Sequence, residues 1–143
     1  MVQVYSASLP LTGFPGVVEL QVPVGLDQLA IVRTVAETIA ARENFDLDTV
    51  ADVKLAVDEV SACLISRAIL GARLDCRFTL LPDALEVIVS TTTCTREVPN
   101  RRGFDWHVLT ALTDTLTVEH FPLAADSFDT SIRFTKRRTV RRP

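Results

Sequence analysis

Residues that usually mark catalysis, disulfides or membranes are scarce in this chain of 143 residues. Cysteine occurs three times, at Cys63, Cys76 and Cys94, an odd number with no closely spaced pair. That points away from a disulfide framework or a zinc site and fits a reducing compartment. Histidine occurs only at positions 107 and 120, and neither a G-x-S-x-G elbow nor an H-E-x-x-H zinc pair is present. No apolar run approaches the ~18 to 20 residues of a membrane helix. The opening MVQVYSASLPLTG lacks the basic start and apolar core of a secretory signal. The chain therefore reads as cytoplasmic, and its 48% hydrophobic and 23% charged residues suit one soluble domain.

Acidic and basic residues are unevenly placed. The net charge is −3, yet five of the 15 basic residues, Lys136, Arg137, Arg138, Arg141 and Arg142, fall in the last eight positions. We divide the chain into a single domain over 1–135 and a basic tail over 136–143, which reads as a solvated, frayed terminus. The acidic body repels phosphate backbones and attracts basic proteins, so direct nucleic-acid binding is not expected.

Hydrophobic periodicity orders the rest. Val18, Leu20, Val22 and Val24 alternate as in a half-buried strand, with Pro23 implying an edge position or an early end. From Asp27, Leu29, Val32, Ala36, Ile39 and Ala40 recur at helical spacing to near Asn44. Asp46 or Asp48 can cap a second helix with the stripe Val50, Val53, Val57, Val60 and Leu64, continuing through Ala68 to Gly71. Two alternating runs, 74–81 and 85–90, form a hairpin around Pro82-Asp83. Thr91 to Arg102 reads as a loop. A third helix spans Phe104 to Asp114 through Trp106, Leu109 and Leu112, with Asp105 as its cap. Strands through Leu116, Val118 and His120 and through Phe128, Ile132 and Phe134 close the order. The expected fold is α+β: a two-layer sandwich with a mixed, mainly antiparallel sheet and the helices on one face.

On the second helix, Glu59 and Cys63 stand four residues apart beside the apolar stripe, below Asp52 and Ala56. A carboxylate there can accept a proton or orient water, or simply be solvated. The segment Asp52 to Ile65, DVKLAVDEVSACLI, resembles the N-box helix of the anti-sigma serine kinases of the RsbW and SpoIIAB type, in the GHKL superfamily of ATPases and kinases. Arg33 in the first helix and Ala111-Leu-Thr-Asp-Thr-Leu116 after the third fit the same pattern, and GFDWHVLTAL is most similar to the actinobacterial, UsfX-type branch. The resemblance implies the histidine-kinase-like ATPase fold. It also implies a homodimer that sequesters an alternative sigma factor of the stress-response or sporulation type. A STAS-domain anti-anti-sigma protein would compete for it, and kinase members phosphorylate that competitor with Mg-ATP. By position Glu59 matches the catalytic base and Arg33 an arginine that contacts partners; Trp106 and His107 extend the expected partner surface. Two bland roles stand beside these: Arg33 pairing with Glu37 at i,i+4, and Trp106 filling core.

The nucleotide motifs depart from the family pattern. Cys63 stands where an asparagine would hold Mg²⁺, and a soft thiol suits a hard cation poorly. Between Glu86 and Asp105 the only acidic residue is Glu97, so the expected adenine-reading aspartate is missing. Of the phosphate-cradling G-x-G-L, one glycine, Gly103, remains before Phe104-Asp105-Trp106, with Arg101 and Arg102 left to offset charge. ATP and Mg²⁺ are thus doubtful cofactors, and the expected reading is a sequestering protein with a degenerate pocket; the alternative is an active kinase using Glu59.

Overall fold

The computed structural model describes residues 3–6, 16–97 and 104–139. Ten elements follow in order, of which the strands are β1 (Gln3–Ser6), β2 (Val17–Pro23), β3 (Arg73–Leu80), β4 (Ala84–Thr93), β5 (Thr115–Ala124) and β6 (Ser127–Arg137). A 3₁₀ turn, Leu26–Gln28, leads into α1 (Leu29–Arg42); α2 (Leu47–Ile65) and α3 (Phe104–Leu112) are the other helices. The strands form one sheet in the order β1-β2-β3-β4-β6-β5. Every pairing is antiparallel. The expected α+β architecture is present.

Alternation decides which face is covered. Leu20 and Val22 of β2, Leu74, Cys76, Phe78 and Leu80 of β3, Leu85, Val87 and Val89 of β4, and Ile132 and Phe134 of β6 are all buried. Against them lie Val32, Ala36, Ile39 and Ala40 of α1 and Val53, Val57, Val60 and Leu64 of α2. Leu109 of α3, with no exposure, extends this core. The opposite face carries Glu19, Gln21, Asp75 and Arg77, joined across strands by Arg77–Glu19 at 2.6 Å and Gln21–Asp75 at 2.6 Å. Such alternation is the physical signature of a sheet with one wet side.

Several boundaries differ from the sequence reading, each for a tertiary reason. β1 is four residues long, too short for a periodic signal, and exists through its pairing with β2. β2 is therefore interior, and Pro23 marks its end rather than an edge. Asp46, not Asp48, caps α2 by accepting the Thr49 N–H at 2.8 Å. α2 stops at Ile65 instead of running to Gly71, because Ala68 forms a bridge with Thr93 and the Ile69 N–H donates to the Thr92 carbonyl at 2.9 Å. Gly71 then turns the chain with φ of 80°, a conformation that favours glycine.

β4 extends to Thr93, into the stretch read as a loop from Thr91. Thr91 and Thr93 are buried, and their hydroxyls donate to the carbonyls of Arg73 at 2.7 Å and Thr95 at 2.9 Å. α3 starts at Phe104, so Asp105 lies inside its first turn rather than before it.

The basic segment from 136 is also anchored where it is described. Lys136 and Arg137 belong to β6. Arg138 pairs with Glu43 at 3.2 Å and covers the Phe45 ring at 5.6 Å, while the Asp46 N–H donates to the Thr139 carbonyl at 3.0 Å. The frayed-terminus reading is corrected for residues 136–139; residues 140–143 lie outside the described chain.

Burial pushes the Cys76 thiol up to about 12, with the neighbouring Asp75 carboxylate adding to the effect. A raised folded-state value leaves stability intact below about pH 9 and erodes it as pH rises from there toward 12, because the unfolded thiol ionises first. We expect Ellman's reagent at pH 8 to modify the exposed Cys94 and leave Cys76 unmodified until denaturant is added. Labelling of Cys76 in the native protein would contradict its placement.

Candidate functional site

Helix α2 carries the residues that matter, and its two flanks do different work. One flank meets α1. Arg33 Nε lies 3.1 Å from Asp58 Oδ1, and Lys54 Nζ lies 3.5 Å from Glu37 Oε2. Arg33 thus pairs across to α2, and Glu37 does not take it at i,i+4. Both pairs are part-exposed, so each contributes under about 1 kcal/mol to stability. Their value is geometric: with the helices antiparallel, the order Arg33-Glu37 meets the order Lys54-Asp58 in reverse. The sequence shows the four-residue spacing of each pair of charges, but not that the two pairs face each other.

The other flank of α2 carries Asp52, Glu59 and Cys63, which helical geometry brings to one side. Asp52 is held by Lys136 of β6 at 3.0 Å, which fixes this side over the sheet. Glu59 and Cys63 are half-buried. α3 packs against α2 as well, and on it Trp106 is half-buried while His107 is exposed. The side chains of Phe104 and Asp105 and the whole of Arg101, Arg102 and Gly103 lie outside the described residues.

Beneath the C-terminal end of α2 the sheet carries a polar chain that periodicity did not reveal. Thr93 and Thr130, both without exposure, share a hydroxyl hydrogen bond of 2.7 Å. Thr130 Oγ1 also lies 3.0 Å from His120 Nδ1, so His120 has a hydrogen-bonded place in the sheet. The Cys94 N–H donates to the Arg67 carbonyl at 3.1 Å and ties this end of β4 to the chain leaving α2. Threonine is the residue that lets such a site stay a strand: its methyl packs and its hydroxyl is satisfied locally. Only the alternation of Thr91 and Thr93, continuing that of Val87 and Val89, could have signalled it.

No family model matches the chain. Over 105 residues, 72% of its length, it is 42% identical to the protein named anti-sigma-F factor RsbW in Mycobacterium tuberculosis, in strains CDC 1551/Oshkosh and H37Rv. This chain is a relative of the RsbW-type anti-sigma factors. It spans 61% of the length of the curated relatives it matches.

For a relative of that family, the donor chemistry beside Glu59 is the telling feature. Mg²⁺ takes oxygen ligands in a tight octahedron, and the side chain in the N-box position is the Cys63 thiol. Among the described residues no three His, Cys, Asp or Glu side chains converge as a metal-binding group. A thiol in that place suits a hard cation poorly. A concavity of about 400 Å³ lies on the helix-free face, lined by Glu19, Asp75, Arg77, Ile88 and Ser90, away from Glu59.

Removing the Thr130 hydroxyl takes one hydrogen bond from buried Thr93 and one from half-buried His120. We expect Thr130→Val to destabilise the protein by about 1 to 3 kcal/mol in urea unfolding. A variant as stable as the parent would show that the Thr93–Thr130–His120 chain contributes nothing.

Proposed function

We propose that this protein is an anti-sigma factor that sequesters an alternative sigma factor by surface contact. The observation that carries the reading is the 42% identity over 105 residues to proteins named anti-sigma-F factor. Two features support it. The α1–α2 region, residues 26–66, holds eight acidic and three basic residues, a surface suited to a protein that itself binds nucleic acid. Arg33 stands half-exposed on α1 in a defined geometry, oriented by Asp58.

In this reading the protein acts as a homodimer, the sigma factor it holds is of the stress-response or sporulation type, and a STAS-domain anti-anti-sigma protein releases that factor by competition. The nucleotide site is degenerate. Cys63 does not suit Mg²⁺, and phosphoryl transfer depends on metal and positioning groups more than on a base such as Glu59 alone. Partner competition, rather than phosphorylation, is then the switch.

The test is co-purification with alternative sigma factors and inhibition of their transcription in vitro, without added nucleotide. We expect binding that Arg33→Ala weakens about tenfold or more, equivalent to about 1.4 kcal/mol, while the fold persists. Failure to hold or inhibit any alternative sigma factor would end the reading. Micromolar Mg-ATP binding by calorimetry, or Glu59-dependent transfer of label from γ-labelled ATP to a STAS partner, would replace it with an active kinase.

A further inference from the structure

The Thr93–Thr130–His120 chain has a direction, and counting its hydrogens gives it. Three short contacts are made in a row: Thr93 Oγ1 to the Thr95 carbonyl at 2.9 Å, Thr93 Oγ1 to Thr130 Oγ1 at 2.7 Å, and Thr130 Oγ1 to His120 Nδ1 at 3.0 Å. Each needs one hydrogen. A carbonyl oxygen only accepts, so the Thr93 hydroxyl spends its single hydrogen on Thr95. Thr93 can then only accept from Thr130, whose hydroxyl spends its own hydrogen there. The third contact is left with a hydrogen from the imidazole, so His120 Nδ1 donates to Thr130. Thr93 and Thr130 are both without exposure, and solvent would not make good a bond left unmade between them.

Strand register explains why these side chains meet. His120 stands directly opposite Thr130 across β5 and β6, while Thr93, paired with Phe128, is diagonal to Thr130 on the same side. The chain of hydrogen bonds ends where the backbone leaves β4. There Thr95 accepts twice, on its carbonyl from Thr93 and on its hydroxyl oxygen from the Glu97 N–H at 3.1 Å. Between them the Arg96 guanidinium lies 4.9 Å from the centre of the Phe128 ring. We infer that His120 is a positioning residue, locked with its hydrogen on Nδ1, and that through Thr130 and Thr93 it fixes residues 94–97 at the exit of β4. Edge strand β5 thereby sets the course of a segment two strands away. An added proton goes to Nε2 and leaves this donor in place.

Long-range proton–nitrogen NMR spectra of the full chain report which ring nitrogen carries hydrogen, and His120→Asn identifies the His120 signals by their loss, leaving those of His107. We expect hydrogen on Nδ1; a ring carrying it on Nε2 alone overturns the lock. Two amide variants then separate positioning from packing, because Asn places its N–H where Nδ1 stands and Gln places it where Nε2 stands. Strand propensity by itself favours Gln. We expect His120→Asn to keep the parent rates of hydrogen exchange at the Cys94 and Glu97 amides, and His120→Gln to raise them at least about threefold, with the β2–β3 amides unchanged in both. Exchange in His120→Asn as fast as in His120→Gln, or faster exchange spread evenly over the sheet, overturns the positioning role.

Discussion

The packing of α2 on the centre of the sheet is the contact from which the rest of the arrangement follows. Val53, Val57, Val60 and Leu64 have no exposure, and the helix contacts β4, β6, α1 and α3. A helix seated on one stripe has no rotational freedom left. Lys54 and Asp58 must then face α1, Asp52 must reach Lys136 of β6, and Leu47 and Leu55 must look outward. One hydrophobic constraint thereby assigns each polar residue of α2 to a neighbour or to solvent.

Charge is used here for placement more than for stability. The ion pairs of α1 and α2 are part-exposed and individually weak. Their effect is to hold Arg33 in one geometry and remove charge from the seam between the helices. On the opposite flank of α2, Asp52 is in turn held by Lys136 of β6.

The long periodic elements were legible because burial imposes their period. α1, α2 and the β3–β4 hairpin read correctly from Val32, Val53, Leu74 and their repeats. What escaped was anything decided by a partner strand or by a hydroxyl. β1 has four residues and depends on β2, and α2 ends where β4 captures Ala68 and Ile69. Thr91 and Thr93 looked like loop residues because threonine counts as polar until its hydroxyl has found a carbonyl.

The candidate site divides in the same way. Glu59, Cys63 and Arg33 were placed on their helix faces by counting residues, since the α-helical repeat is local and requires no knowledge of neighbours. The sequence by itself therefore determined the two amphipathic helices and the alternating core of the sheet. Only the tertiary structure decided that Arg33 meets Asp58 and not Glu37, that Thr130 joins Thr93 to His120, and that Lys136 and Arg138 are anchored to the helical layer. Those contacts join residues 25 to 95 positions apart, or lie across a strand register, and no local period encodes which distant group will be opposite.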